Sequence, residues 1–184
     1  MAGVSTSGPA ISWPAELATA RLTLRPIESG DVPAISRLWT DPEVRRYLGG
    51  PVAAAEVAAR QRGCVGAAGW FSVLGRLDRT VLGLVLLEPD ARSDRRTEVS
   101  YSFLPEHWGH GYAREAVTAV VDWALADSVA ASPAVIAITQ QANVRSRRLL
   151  ESIGMSLVES FVEFDAPQVM YSVDRIGVSP LGRP

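Results

Sequence analysis

The sequence predicts a single mixed α/β domain: one central sheet with helices packed on its faces. Three observations carry this. Short apolar stretches with strand-like patterning alternate with segments of helical spacing, in the order β, α, α, β, β, β, α, β, α, β, β. One stretch, VLGLVLLE (81–88), is apolar throughout and reads as a strand inside the sheet. The chain of 184 residues, 47% of them hydrophobic, is long enough for one folded core and short for two.

Leu22-Thr23-Leu24-Arg25 alternates apolar and polar, and Pro26 ends it as a short opening strand. Asp31 then reads as a helix N-cap, with Pro33 in the first turn and Ile35, Leu38 and Trp39 on one face. Val44, Tyr47 and Leu48 repeat helical spacing before Gly49-Gly50-Pro51, and an Ala-rich helix is expected over Val52 to Arg62. Strands Trp70–Leu74 and Val81–Glu88 form a hairpin around Arg76 to Arg79, and a polar turn leads to a fourth strand, Glu98–Leu104. A Gly-bearing loop opens a helix over Ala113 to Ala126. A fifth strand, Val135–Thr139, precedes a short helix, Asn143–Ile153, with Gly154 in the C′ position. The last two strands, Ser156–Phe164 and Val169–Asp174, form a hairpin across Asp165-Ala166-Pro167. A flexible tail is expected over 1–18, the domain over 19–176 and a second tail over 177–184.

Composition narrows the function. Eighteen basic and 20 acidic residues leave a net charge of −2, which gives nucleic acid or an anionic membrane no electrostatic footing. Cys64 is the only cysteine, so no internal disulfide forms, which fits a reducing cytoplasm. No secretory leader and no membrane-length apolar run are read. No metal-ligand cluster is expected.

The densest signal is EVSYSFLPEHWGHGYAREAVTAVVDWAL. An extended segment runs into Pro105, then a loop carries Gly109 and Gly111 into a helix with Ala116, Val117, Val120, Val121 and Ala124 on one face. A helix N-terminus offers backbone N–H groups without intrahelical partners and the positive end of its dipole, a combination that binds phosphate. Two glycines before a helix are as readily a plain tight turn. The two commoner phosphate motifs do not fit. A P-loop requires a lysine that is missing at the required place, and the dinucleotide pattern would need a glycine where Arg114 stands, after the first strand of its unit.

WGHGYAREA, from Trp108 to Ala116, resembles the acetyl-CoA loop of the GNAT superfamily of N-acetyltransferases, most of all its RimJ/RimL-type branch. ARLTLRPIESGDVPAI and LWTDPEVRRYLGG resemble the family's opening strand and helices. QANVRSRRLLESIGM resembles its later motif, with Met155 in place of the final Phe. The resemblance implies a mostly antiparallel sheet splayed between the fourth and fifth strands. It implies acetyl-CoA as co-substrate and a primary amine, at a protein N-terminus or on a small molecule, as acceptor. A homodimer is the family-level expectation.

Carried over by residue, the resemblance implies that the backbone of Phe103 and Leu104 pairs with the pantetheine arm. The amides of Trp108, Gly109, His110, Gly111, Tyr112 and Ala113 would hold the pyrophosphate, and Asn143 and Ser146 would face the cofactor. Many relatives place a tyrosine near the thiol as proton donor. No tyrosine lies between Tyr112 and Tyr171, so Ser146 is the candidate donor. For the base, Glu98 is weighed against Asp165. Glu98 shares a strand face with Ser100 and Ser102, where desolvation would raise its pKa, and it is preferred. Asp165 matches an acidic position of RimL-like members, but Asp-Ala-Pro is also ordinary turn chemistry. His107 and His110 lie in the phosphate loop, and Arg145, Arg147 and Arg148 read as a solvated helix face or as partners of the cofactor's 3′-phosphate. A non-catalytic acyl-CoA-binding or sensor module remains the alternative.

Overall fold

The computed structural model describes residues 13–92, 96–126 and 134–174. Eight strands form one sheet: β1 (Leu17–Ala18), β2 (Leu22–Pro26), β3 (Trp70–Gly75), β4 (Val81–Pro89), β5 (Thr97–Phe103), β6 (Ala134–Gln140), β7 (Ser156–Glu163) and β8 (Ala166–Asp174). Four α-helices accompany them: α1 (Val32–Thr40), α2 (Ala54–Gly63), α3 (Tyr112–Leu125) and α4 (Val144–Ser152). The strand order is β1-β2-β3-β4-β5-β6-β8-β7, with β8 between β6 and β7. All neighbours are antiparallel except β5 and β6.

Strand alternation builds a core on each face. Val85 and Leu87 of β4 join Val99 and Phe103 of β5 under Val117 and Val120 of α3. Leu84 of β4 joins Ile35, Leu38 and Trp39 of α1 on the opposite face. Burying each such side chain stabilises the fold by about 1.5–3 kcal/mol. Gly83 sets the spacing of β4 on β5. A Cβ there would lie 2.5 Å from the Ser102 carbonyl oxygen and 2.7 Å from the Phe103 ring.

The parallel pair positions the site. β5 and β6 are in register only at Thr97↔Val135 and Glu98↔Ile136. Beyond them β5 stays on β4 as far as Gly83↔Phe103, and β6 stays on β8 as far as Gln140↔Gln168. Each strand follows its outer neighbour, so the two part into a fork that opens toward their C-terminal ends. This is the splay expected between the fourth and fifth strands of the sequence reading.

Several local expectations are corrected. Asp31 occupies the N-cap position of α1 as expected, but its side chain gives that helix no cap hydrogen bond. Its carboxylate instead takes Arg25 Nη1 at 2.7 Å and Nη2 at 3.0 Å, and the Glu28 N–H at 3.0 Å. A buried guanidinium outcompetes two helix amides because both its charge and its donors need a partner. Val44–Tyr47 is a 3₁₀ turn rather than an α-helix, and α2 begins at Ala54 rather than Val52. The last hairpin turns on Phe164-Asp165 alone, both with positive φ (51° and 55°), which matches the twist of the flanking strands. Pro167 therefore lies inside β8. It sits one residue beyond the β6 ladder, where no N–H is required, and its carbonyl accepts from Gln141 N–H at 2.9 Å.

Of the expected N-terminal tail, residues 13–18 dock on the sheet. The Trp13 ring meets Phe71 edge-on at 5.0 Å, and Leu17 and Ala18 pair with β2. Residues 1–12 and 177–184 lie outside the described residues, as does the end of the polar turn at 93–95.

Candidate active site

A 3₁₀ turn at Pro105–His107 brings the chain off β5, and Gly109 (φ 80°) and Gly111 (φ 79°) carry it into α3. Gly111 is the N-cap of α3 in left-handed conformation, without a side-chain cap. A residue with a Cβ is strained at such a φ. The first hydrogen bond into the helix is Glu115 N–H to Gly111 C=O at 3.1 Å. The N–H groups of Gly111, Tyr112, Ala113 and Arg114 thus have no acceptor among the described residues. Gly111, Tyr112 and Ala113 belong to the set expected of the loop and Arg114 is an addition, whereas the Trp108 N–H is already donated to the Pro105 carbonyl at 3.1 Å.

The loop is braced from behind. Arg21 donates through Nη1 to the His110 carbonyl at 2.9 Å and through Nε to Glu115 Oε2 at 2.7 Å, and its guanidinium lies 4.7 Å from the Tyr112 ring centre. Glu115 also accepts from Thr19 Oγ1 and the Arg21 N–H. Burial would raise the Glu115 carboxyl, but these donors, led by Thr19 and Arg21, hold it below the usual carboxylate range. The Trp108 indole N–H donates to the Phe103 carbonyl at 2.7 Å, and the Arg145 guanidinium covers the Trp108 ring at 4.6 Å.

In front of α3's N-terminus is a cavity of about 250 Å³, lined by Gly111, Tyr112, Ala113 and the cations Arg114, Arg145 and Arg148 among others. Trp108 and Gly109 line it too. His110 does not: its ring stacks on Tyr112 at 5.7 Å and its carbonyl is held by Arg21. Arg147 also turns away, donating to Tyr171 Oη at 3.2 Å and the Gln141 carbonyl at 3.3 Å. Unpaired amides on a helix start that lines a cavity with three arginines, of which Arg114 also donates through Nη2 to the Ser152 carbonyl at 3.4 Å, suit a polyanion such as a pyrophosphate with a further phosphate.

The expected strand edge needs adjustment. Leu104 N–H is already donated to the Leu82 carbonyl at 3.0 Å, so it faces β4. By antiparallel alternation the odd residues, Tyr101 and Phe103, turn their N–H groups toward the open side of β5. The Phe103 carbonyl already accepts the Trp108 indole N–H, which leaves its N–H for the pairing expected of it; Leu104 contributes buried side-chain packing instead.

The other arm of the fork ends in α4. Asn143 caps that helix, its Oδ1 accepting from Ser146 N–H at 3.2 Å while its Nδ2 donates to Thr139 Oγ1 at 3.2 Å. Both ends of its amide are engaged, so its contribution is to place Ser146. Ser146 Oγ meets the Tyr101 phenol at 2.8 Å across the fork. Burial pushes the Tyr101 hydroxyl up to about 12 although Ser146 opposes the shift, so the phenol stays protonated at neutral pH. The donor tyrosine of many relatives is expected between Tyr112 and Tyr171, where the sequence holds none. Tyr101 comes from the preceding strand, and alternation with the buried Val99 and Phe103 was the signal that could have placed it on this face.

Glu98 lies on the other face, where the fork closes, and is not brought together with Ser146. Its carboxyl is raised, first by burial and then by Asp90, Glu88 and Glu163, against the pull of Arg92. Arg92 Nη1 stands 3.6 Å from Glu98 Oε2 and 3.4 Å from Asp90 Oδ1, and Nη2 pairs with Glu163 of β7. Arg92 thus ties the β4–β5 loop to the last hairpin, a contact no sequence motif signalled. Asp165 is exposed at the hairpin tip and makes no hydrogen bond or ion pair with the described residues. Among the described residues no group of three or more His, Cys, Asp or Glu side chains is placed to hold a metal ion, and no helix is long and apolar enough to cross a membrane.

Comparison with known proteins bears on this arrangement. Residues 21–156 match the family described as Acetyltransferase (GNAT) domain. The chain is similar to the uncharacterized N-acetyltransferase p20 of Bacillus licheniformis, 29% identical over 116 residues, which is 58% of this chain and 64% of that protein. In structure it resembles a GNAT-family acetyltransferase from Bacillus anthracis (TM-score 0.77, 21% identity, 87% of this chain and 98% of that one). It also resembles the Vibrio cholerae spermidine N-acetyltransferase solved with CoA and spermine (TM-score 0.70, 20% identity, 85% and 96%).

Proposed function

The chain belongs to the GNAT family of N-acetyltransferases, with acetyl-CoA as co-substrate, and from that premise we propose that it moves the acetyl group to a primary amine, on a protein N-terminus or a small molecule, by direct attack of the amine. The observation that carries this reading is the set of unpaired amides at Gly111–Arg114, on residues that line one cavity together with Arg145 and Arg148. Acetyl-CoA supplies an activated acyl thioester. Everything else is asked of the chain: the loop amides and arginines hold the phosphates, and the open edge at Tyr101 and Phe103 orients the arm along the fork. Ser146 stands where a proton can be given to the leaving sulfur. Glu98, with its raised pKa on the opposite face, takes the proton that the amine loses.

Within the family we assign the chain to the RimJ/RimL-type branch on WGHGYAREA, and we place it in the cytoplasm, without nucleic acid or membrane as partner. The spermine bound to the Vibrio cholerae enzyme makes polyamines a first acceptor class to try beside N-terminal peptides. The test is a thiol-release screen of purified protein with acetyl-CoA and a panel of peptides, polyamines, aminoglycosides and amino acids. Turnover with one class supports the proposal. Tight acetyl-CoA binding without release from any amine would favour a non-catalytic acyl-CoA sensor.

A further inference from the structure

Tyr101 and Ser146 stand on opposite arms of the fork, 45 residues apart in sequence, and meet through a single 2.8 Å contact between hydroxyl oxygens. Each hydroxyl has this one hydrogen bond among the described residues. Two hydroxyl protons therefore share one bond, and one of them has no acceptor among the described residues. A phenol is the more acidic of the two groups and the better donor. Its donation to Ser146 Oγ leaves the Ser146 proton as the surplus one. Asn143 fixes where that proton starts from, because its Oδ1 holds the Ser146 N–H at the first turn of α4.

We propose that Tyr101 is a positioning residue for the transfer: its O–H donates to Ser146 Oγ, turns the Ser146 proton into the fork toward the leaving sulfur, and replaces that proton once it is given up. This rests on the acetyl-transfer reading above. As the amine nitrogen bonds to the acyl carbon, the C–S electron pair stays with sulfur. Ser146 Oγ gives its proton to that sulfur and takes the phenolic proton from Tyr101. Tyr101 is re-protonated from water, and the proton lost by the amine leaves through Glu98 to water, so charge and protons balance. Burial keeps the phenol neutral between turnovers, so it returns to the donating state.

The pair should also mark the free thiol, which gives a readout independent of turnover. A hydroxyl aimed at the sulfur stabilises the thiolate and lowers the bound thiol's pKa from about 8.5 for a free thiol. Calorimetric affinities of CoA and desulfo-CoA are measured from pH 7 to 9.5 for the wild type, Tyr101→Phe, Ser146→Ala and the double variant. In the wild type the preference for CoA over desulfo-CoA should rise with pH by nearly tenfold, the gain that a bound-thiol pKa about one unit below the free one gives. Tyr101→Phe and Ser146→Ala should each abolish that rise while desulfo-CoA affinity, the check on folding, holds. The double variant should lose no more than either single one, and Ser146→Thr should restore the rise. With an acceptor in hand, Tyr101→Phe should lower kcat about tenfold and leave the KM for acetyl-CoA alone. A rise that survives Tyr101→Phe, or losses that add in the double variant, would overturn the proposal. A wild type that binds both ligands without the rise also overturns it and leaves acetyl transfer standing. If the wild type binds neither ligand, both readings fall.

Discussion

The two ends of the fork are built differently. At the open end the polar groups are mostly backbone: amides freed by the left-handed Gly111 at the start of α3, with arginines contributed by α3 and α4. At the closed end they are side chains drawn from distant segments and paired with one another: Glu98 on β5, Asp90 and Arg92 on the loop before it, and Glu163 on β7. A backbone anion site needs only a local turn and a helix start, so it is written in consecutive residues. A side-chain cluster needs tertiary structure to exist. The first end suits a donor that does not vary, and the second can be altered residue by residue to suit an acceptor.

The sharpest break in this comparison is at Ser146, which stands at the centre of the fork. Ser146→Ala should lower kcat about 100-fold with little change in the KM for acetyl-CoA. A raised KM with unchanged kcat would make Ser146 part of the binding end alone. Glu98→Gln comes next, with a fall of about tenfold at neutral pH. The carboxylate is the active form and burial raises its pKa, so wild-type kcat/KM should fall as pH drops through that raised value. The variant should lack that acid limb, and a thermal melt checks that the Arg92 contacts still fold. If the limb persists in Glu98→Gln, the closed end holds a different base.

At the open end, Gly111→Val should weaken acetyl-CoA binding about tenfold by calorimetry while circular dichroism stays native. The cause is conformational: a Cβ on Gly111 meets only Arg21 Nη2 at 3.5 Å, an ordinary contact, but the φ of 79° is closed to a β-branched residue. Unchanged affinity would detach the loop from the cofactor. The smallest effect is expected at the hairpin tip. Asp165→Asn should leave kcat/KM within about twofold, as expected of an exposed substitution without partners. A loss larger than that of Glu98→Gln would move the base from the sheet to the hairpin.

The same contrast explains what could be read from sequence. Apart from β1, which falls in the expected tail, the strand and helix order, the buried VLGLVLLE strand and the Gly109–Gly111 loop are local patterns, and they stand where the sequence placed them. Ser146 was reachable because its motif is continuous with Asn143. Tyr101 was not, because its partner lies across a crossover of a whole helix and strand, and a lone tyrosine on a strand reads as packing. Arg92 was hidden for the same reason, since Glu163 is 71 residues away. Leu104 and Asn143 were assigned to the cofactor by position in a motif. The backbone ladder to Leu82 and the cap of α4 commit their polar groups elsewhere. Asp-Ala-Pro suggested a wide turn, but the twist of two long strands selected the two-residue Phe164-Asp165 turn.

The central claim is that unpaired amides at the start of α3 hold the phosphates of CoA. Amide resonances of ¹⁵N-labelled protein during a CoA titration test it most directly. The N–H signals of Gly111, Tyr112, Ala113 and Arg114 should shift together and saturate, with a displacement that disappears when CoA is replaced by pantetheine. Saturable CoA binding that leaves these four signals in place would contradict it.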